Sequence, residues 1–140
     1  MKNTIPALLA CCMLLGPLAL PARAASAPSQ QMVEQTIRMM GIITGDEKGD
    51  MNLSGLVTRA QFAKMMVAAS SHKDTVGSAM GVSPFRDVTY QHWAAGYVKV
   101  AVDNGWVNGY MDGTFRPDNS ITTEEAAAAL LRMLGYTSAD

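Results

Sequence analysis

Apolar residues recur at helical spacing in four places along the chain, and the four stripes form two matching pairs. Val33, Thr36, Ile37 and Met40 mark one face of a helix near 31–41, and Phe62, Met65, Met66 and Ala69 a second near 59–70. Trp93, Tyr97, Val100 and Ala101 mark a third near 92–104, and Ala127, Leu130, Leu131 and Leu134 a fourth near 123–134. Residues three or four apart share one side of a helix, so each stripe predicts an amphipathic helix with that side turned to a core. No substantial sheet is predicted, and the expected class is all-α.

Displacing the chain by 64 positions superposes the pairs. Gly41, Gly45 and Gly49 fall on Gly105, Gly109 and Gly113, Thr58 on Thr122 and Ala63 on Ala127, without a gap. Ile43 meets Val107, Met51 meets Phe115, Val57 meets Ile121 and Met66 meets Leu130. Such self-similarity signals stacked units that share a core. Each unit reads helix, loop, helix. Gly41 and Gly105 stand where a left-handed helix stop is wanted. Thr58-Arg59-Ala60-Gln61 and Thr122-Thr123-Glu124-Glu125 fit the capping box that opens the second helix of each unit.

The stretch from Asn104 to Glu125, which ends on the start of a helix, reads as the ordered connection inside the second unit. Trp106, Phe115 and Ile121 tack it to the helices, and Asp112 and Asn119 lie on its exposed edge. The second unit also has a lead-in, from Pro84 to Trp93, with no counterpart in the first. The organisation expected is a leader over 1–24, a partial first unit over 25–71, a linker over 72–83, a second unit over 84–136 and a tail over 137–140.

The leader carries Lys2, an apolar run over 5–20 and the small-residue cleavage pattern Ala22-Arg23-Ala24. That is a secretory signal, too short for a permanent membrane span, and the mature chain is expected to have no transmembrane segment. Cleavage after Ala24 removes both cysteines, Cys11 and Cys12, so thiol chemistry and disulfides are excluded from what remains. It also removes Lys2 and Arg23, leaving nine basic residues against twelve acidic ones and a net charge near −3. With no basic face, nucleic acid is excluded as a partner.

Two chemical readings test the loops. Asp50-Met51-Asn52-Leu53-Ser54-Gly55 begins like an EF-hand calcium loop, but its twelfth place is Gln61 and not a bidentate glutamate. It reads as a weak calcium site at best. No nucleophile elbow, metal-spaced histidine pair or phosphate loop occurs, so no enzyme, cofactor or metal is expected.

The second unit resembles an S-layer homology repeat in Phe85-Arg86-Asp87-Val88, His92-Trp93-Ala94, Asn104-Gly105 and Asp112-Gly113-Thr114-Phe115-Arg116-Pro117. In the first unit Thr58-Arg59-Ala60-Gln61-Phe62-Ala63 resembles that family's Thr-Arg-Ala-Glu signature. The resemblance implies a pseudo-threefold helical prism, here incomplete at about one and a half repeats. It implies a secreted, non-catalytic module at the cell wall or S-layer, bound to secondary cell-wall polysaccharide or a peptidoglycan-linked glycan. Pyruvylated or otherwise acidic sugars are the expected ligand class. The groove residues it implies are Arg59, Asp87 and Trp93, and Asp112 at the loop edge adds a contact to sugar. An arginine fork suits a carboxylate, a tryptophan face suits sugar C–H groups, and an ionised aspartate suits hydroxyls. Read on their own, Arg59 serves equally as a solvated side chain, Asp87 as a turn cap and Trp93 as core. Thr123 and Gln61 depart from the signature. The rival reading is an interaction fragment whose prism is completed by other chains of the family.

Overall fold

Three helix ends in this chain close in the same way. After α1 (Gln30–Met39), Gly41 donates to the Arg38 carbonyl and Ile42 to the Ile37 carbonyl. After α4 (Ala95–Asp103), Gly105 donates to Val102 and Trp106 to Ala101; after α5 (Thr123–Met133), Gly135 donates to Arg132 and Tyr136 to Leu131. This paired bonding is the Schellman stop, and it places residue C′ in the left-handed region, with φ of 69° at Gly41 and 71° at Gly105.

The computed structural model describes residues 27–46, 48–79, 83 and 85–136. The expected leader and tail lie outside them. The remaining elements are α2 (Arg59–Ala68), a 3-10 turn (Lys73–Thr75) and α3 (Val76–Ala79). There is no strand among the described residues, only an isolated antiparallel bridge between Thr58 and Ser120. The fold is all-α, and no described helix is long and apolar enough to cross a membrane.

Both capping boxes form. Thr58 Oγ1 accepts from the Gln61 N–H while Gln61 Oε1 accepts from the Thr58 N–H, and Thr122 and Glu125 repeat the exchange at α5. The first turn of α2 is also satisfied by the other unit. Its Arg59 and Ala60 N–H groups donate to the carbonyls of Asn119 and Pro117, at 2.9 and 3.0 Å. The two units are therefore interlocked through backbone as well as through side chains.

The core forms where α2 packs on α4. Small and branched residues meet there, with Ala60, Ala63 and Val67 from one helix and Ala95, Val98 and Ala101 from the other, all buried. Phe115 and Val88 close it from the loop side. The segment expected as a linker carries the 3-10 turn and α3, and it packs on α4. His72 meets the Trp106 ring edge-on at 5.6 Å, and Val76 and Ala79 rest on the core. A four-residue helix is too short to leave a periodic signal in sequence.

The stripes locate the helices more accurately than their buried faces. On α5 only Ala129 is buried, while Leu130, Leu131 and Leu134 are exposed; α1 buries no residue at all. These two helices have apolar faces with little packed against them, because α1 has no extensive contact with another described helix and the only extensive contact of α5 with one is to α2. α4 starts at Ala95 and not at residue 92, since His92 Nδ1 accepts the Ala94 N–H at 3.1 Å within a turn.

Candidate functional site

Arg59 enters from the first turn of α2 and runs under the loop of the second unit. Its Nε donates to the Phe115 carbonyl (2.8 Å), Nη2 to the Asn108 carbonyl (2.8 Å) and Nη1 to Glu125 Oε1 (2.7 Å). The guanidinium lies 4.8 Å from the Tyr110 ring centre and 4.7 Å from that of Phe115. Only 6% of Arg59 is exposed. A planar fork with five donors can serve three acceptors and two ring faces at once, which a lysine cannot.

Glu125 is the hub on the opposite side. Besides Arg59 it accepts from the Tyr110 hydroxyl at 2.9 Å and, through Oε2, from the Thr122 N–H at 3.1 Å. Partial burial pushes its carboxyl up, but the Thr122 N–H, the Tyr110 hydroxyl and Arg59 together outweigh that and hold it below its ordinary value. Tyr110 moves the other way: burial and its bond to Glu125 raise it above 10.0.

Asp87 also serves the loop. Its Oδ1 accepts from the Phe115 N–H at 2.8 Å and its Oδ2 from the Arg116 N–H at 2.7 Å. Arg116 needs that support, since it is a non-glycine residue at φ 58°. Asp112 stands at the exposed edge, where the Thr114 hydroxyl (2.6 Å), the Thr114 N–H (3.0 Å) and Arg116 hold its carboxyl down at about 2. Gly109 has no room for a side chain, because a Cβ there would strike the Phe85 ring.

Trp93 sits elsewhere. It is 55% exposed, stacks on His92 at 5.8 Å and lines a groove of about 510 Å³. That groove runs along the first unit's loop and the Gln61, Lys64 and Met65 side of α2. A second groove, of about 360 Å³, lies between the second unit's loop and α5 and contains Arg59, Tyr110, Glu125 and Arg132. The structure thus brings Arg59 and Asp87 together on the Phe115 backbone, while Arg59 lines one groove and Trp93 the other.

The two grooves are copies. Trp106, Asn108, Tyr110, Ile121, Glu125 and Ala128 of the second each stand 64 positions beyond Ile42, Thr44, Asp46, Val57, Gln61 and Lys64 of the first. Each is completed by the other unit, the first by Trp93 and the second by Arg59. Sequence reasoning missed Lys64, Tyr110, Glu125 and Arg132 as lining residues. The repeat displacement was the signal that could have found the matched positions among them, because a groove in one unit implies a groove in the other.

Residues 84–127 match the family model of the S-layer homology domain. The chain is 31% identical over 145 aligned positions to a middle cell wall protein of Brevibacillus brevis, covering 97% of this chain and 14% of that protein. It is 33% identical over 107 positions to a surface layer protein of Brevibacillus choshinensis, covering 74% of this chain and 10% of that one. Over 82 positions it is 35% identical to a cellulosome-anchoring protein of Acetivibrio thermocellus, covering 56% of this chain and 17% of that one. The chain therefore spans less than a fifth of the length of each of these relatives.

Proposed function

The chain carries an S-layer homology domain, and we propose that it is a secreted, non-catalytic module that anchors to the cell surface by binding cell-wall polysaccharide. The observation that carries this reading is Trp93, a large aromatic side chain left more than half exposed in the lining of a groove otherwise formed by the first unit. An exposed indole of this kind is an apolar platform for sugar C–H groups with a donor at its rim. The relatives' names point the same way, being those of cell-wall, surface-layer and anchoring proteins.

Within that reading the acidic part of a pyruvylated or otherwise acidic glycan goes to the second groove. Arg132 is the exposed cation there, since Arg59 is buried and already donates to Phe115, Asn108 and Glu125, and a carboxylate is gripped best by a guanidinium. Asp112, ionised at every physiological pH, offers acceptors to sugar hydroxyls at the loop edge, and Asp87 holds the loop that carries it. The test is co-sedimentation with purified cell walls before and after chemical removal of the polysaccharide. Retention is expected to disappear with the polysaccharide; retention indifferent to its removal would overturn the reading.

A second reading is favoured by the exposed Leu130, Leu131 and Leu134 on α5. Here the fragment is completed by other chains of the family that cover this face. Sedimentation of the purified protein as a single monomeric species at all concentrations would count against it.

A further inference from the structure

The second helix of each unit carries the same apolar stripe, and only one of the two stripes is covered. Ala63, Met66 and Val67 of α2 lie in the core where α2 packs on α4, with Met66 3% and Val67 0% exposed. Their counterparts 64 positions on are Ala127, Leu130 and Leu131 of α5. Those three are exposed, Leu130 by 47% and Leu131 by 51%. α5 meets the core through Ala129 and Met133 instead, which leaves this stripe out of the core.

The first helices show the converse. Gly96, Val100 and Ala101 of α4 are buried, and Tyr97 packs against the core. Met32, Thr36, Ile37 and Val33 of α1 stand 64 positions before them. Yet α1 buries no residue and has no extensive contact with another described helix, and Met32, Val33 and Met40 on this face are exposed. The chain thus presents both halves of one interface a second time. The α2 half recurs on α5 and the α4 half on α1, each uncovered among the described residues.

We propose that α1 of one copy of this chain packs on the Leu130 and Leu131 side of α5 of a second copy, as α4 packs on α2 within each. The proposal rests on the second reading above and names the segment that covers α5; the anchoring reading does not depend on it. Units of a repeat bury their apolar faces by stacking on neighbours, and this contact continues the interface between α2 and α4 by one unit. It covers both open faces with a single contact, whereas α5 against α5 would leave α1 uncovered. Such a contact is heterologous, so every assembly keeps one free half at each end until a ring closes. It consists of one helix pair and is small, so association should depend on concentration.

The experiment is sedimentation velocity of the purified protein from micromolar to millimolar concentration. The parent is expected to shift from monomer to larger species across that range. Val33→Glu removes the α1 half and Leu131→Glu the α5 half, each by setting a charge in the contact. Either variant alone should associate more weakly by about tenfold or more. Mixed in equal amounts, the two should form a dimer and nothing larger, because each retains the half that the other lacks. Both side chains are exposed, so thermal midpoints should match the parent's. Met32→Glu and Leu130→Glu repeat the test if either variant is destabilised. A parent that stays monomeric throughout would overturn the proposal and the second reading together. A Val33→Glu protein that associates as well as the parent, or a mixture that stays monomeric, would overturn the pairing of α1 with α5 alone.

Discussion

Arg59 and Asp87 hold the two sides of a single residue. Arg59 Nε donates to the Phe115 carbonyl and Asp87 Oδ1 accepts from the Phe115 N–H, both at 2.8 Å. One side chain comes from the first unit and the other from the second, and between them they fix the loop against the core. The Phe115 ring is itself buried beneath the Arg59 guanidinium. The arginine expected to meet a ligand is therefore also the pin that joins the units.

Arg59→Ala should cost about 3 kcal/mol, because it strands Glu125 and two carbonyls that now have a partner. Arg59→Lys should recover only a minor part, since a point charge cannot reach all three acceptors. Asp87→Ala should cost about 2 kcal/mol, having removed two charge-assisted bonds to backbone. Denaturant midpoints decide this. An Arg59→Ala protein as stable as the parent would refute the pin.

Acid should loosen the same joint. Glu125 is held below its ordinary carboxyl value, so it prefers the proton in the unfolded chain. Its contribution is complete above about pH 4.5 and is lost as pH falls through the lowered value. Asp112, held down at about 2, adds a smaller effect in the same direction because it is exposed and screened by solvent. Midpoints measured from pH 7 to pH 3 should fall, and the fall should be shallower in Glu125→Gln.

The caps give a cleaner expectation. Thr58→Ala and Thr122→Ala should each cost about 1 kcal/mol, with helix content almost unchanged, since each removes one bond to an orphan N–H. Gly109→Ala should cost more than either, because the new methyl would displace Phe85 from Phe115, whose ring centres lie 5.4 Å apart. A Gly109→Ala protein with an unshifted thermal midpoint would contradict that contact.

The helices, both capping boxes and the left-handed stops at Gly41 and Gly105 were legible in sequence, because each depends on residues a few positions apart. What surrounds a residue from outside its own helix was not. The stripe Ala127, Leu130, Leu131 and Leu134 is as regular as any, yet these residues are exposed, since no other described helix packs extensively on α5 except α2. Arg59 and Trp93 were expected to share one groove. Their separation follows from how α2 inserts beneath the second unit's loop, a relation between residues 49 to 66 positions apart that no local pattern encodes.

The two tryptophans should behave as opposites. Trp106 is buried, with His72 against its edge and its carbonyl accepting from Arg132. Its replacement by alanine opens a cavity in the core and should cost about 3 kcal/mol or more. Trp93 is largely in solvent and contributes no core contact, so Trp93→Ala should change stability by less than about 0.5 kcal/mol. Were the ring only a structural accident, wall retention would be as indifferent to its loss as stability is. If it is the sugar platform, retention should fall while the denaturant midpoint stays fixed. Iodide quenching of each variant's remaining tryptophan identifies the rings independently: strong quenching is expected when Trp93 remains, and little when only Trp106 does. Equal quenching of the two would place Trp93 in the core and withdraw it from the groove.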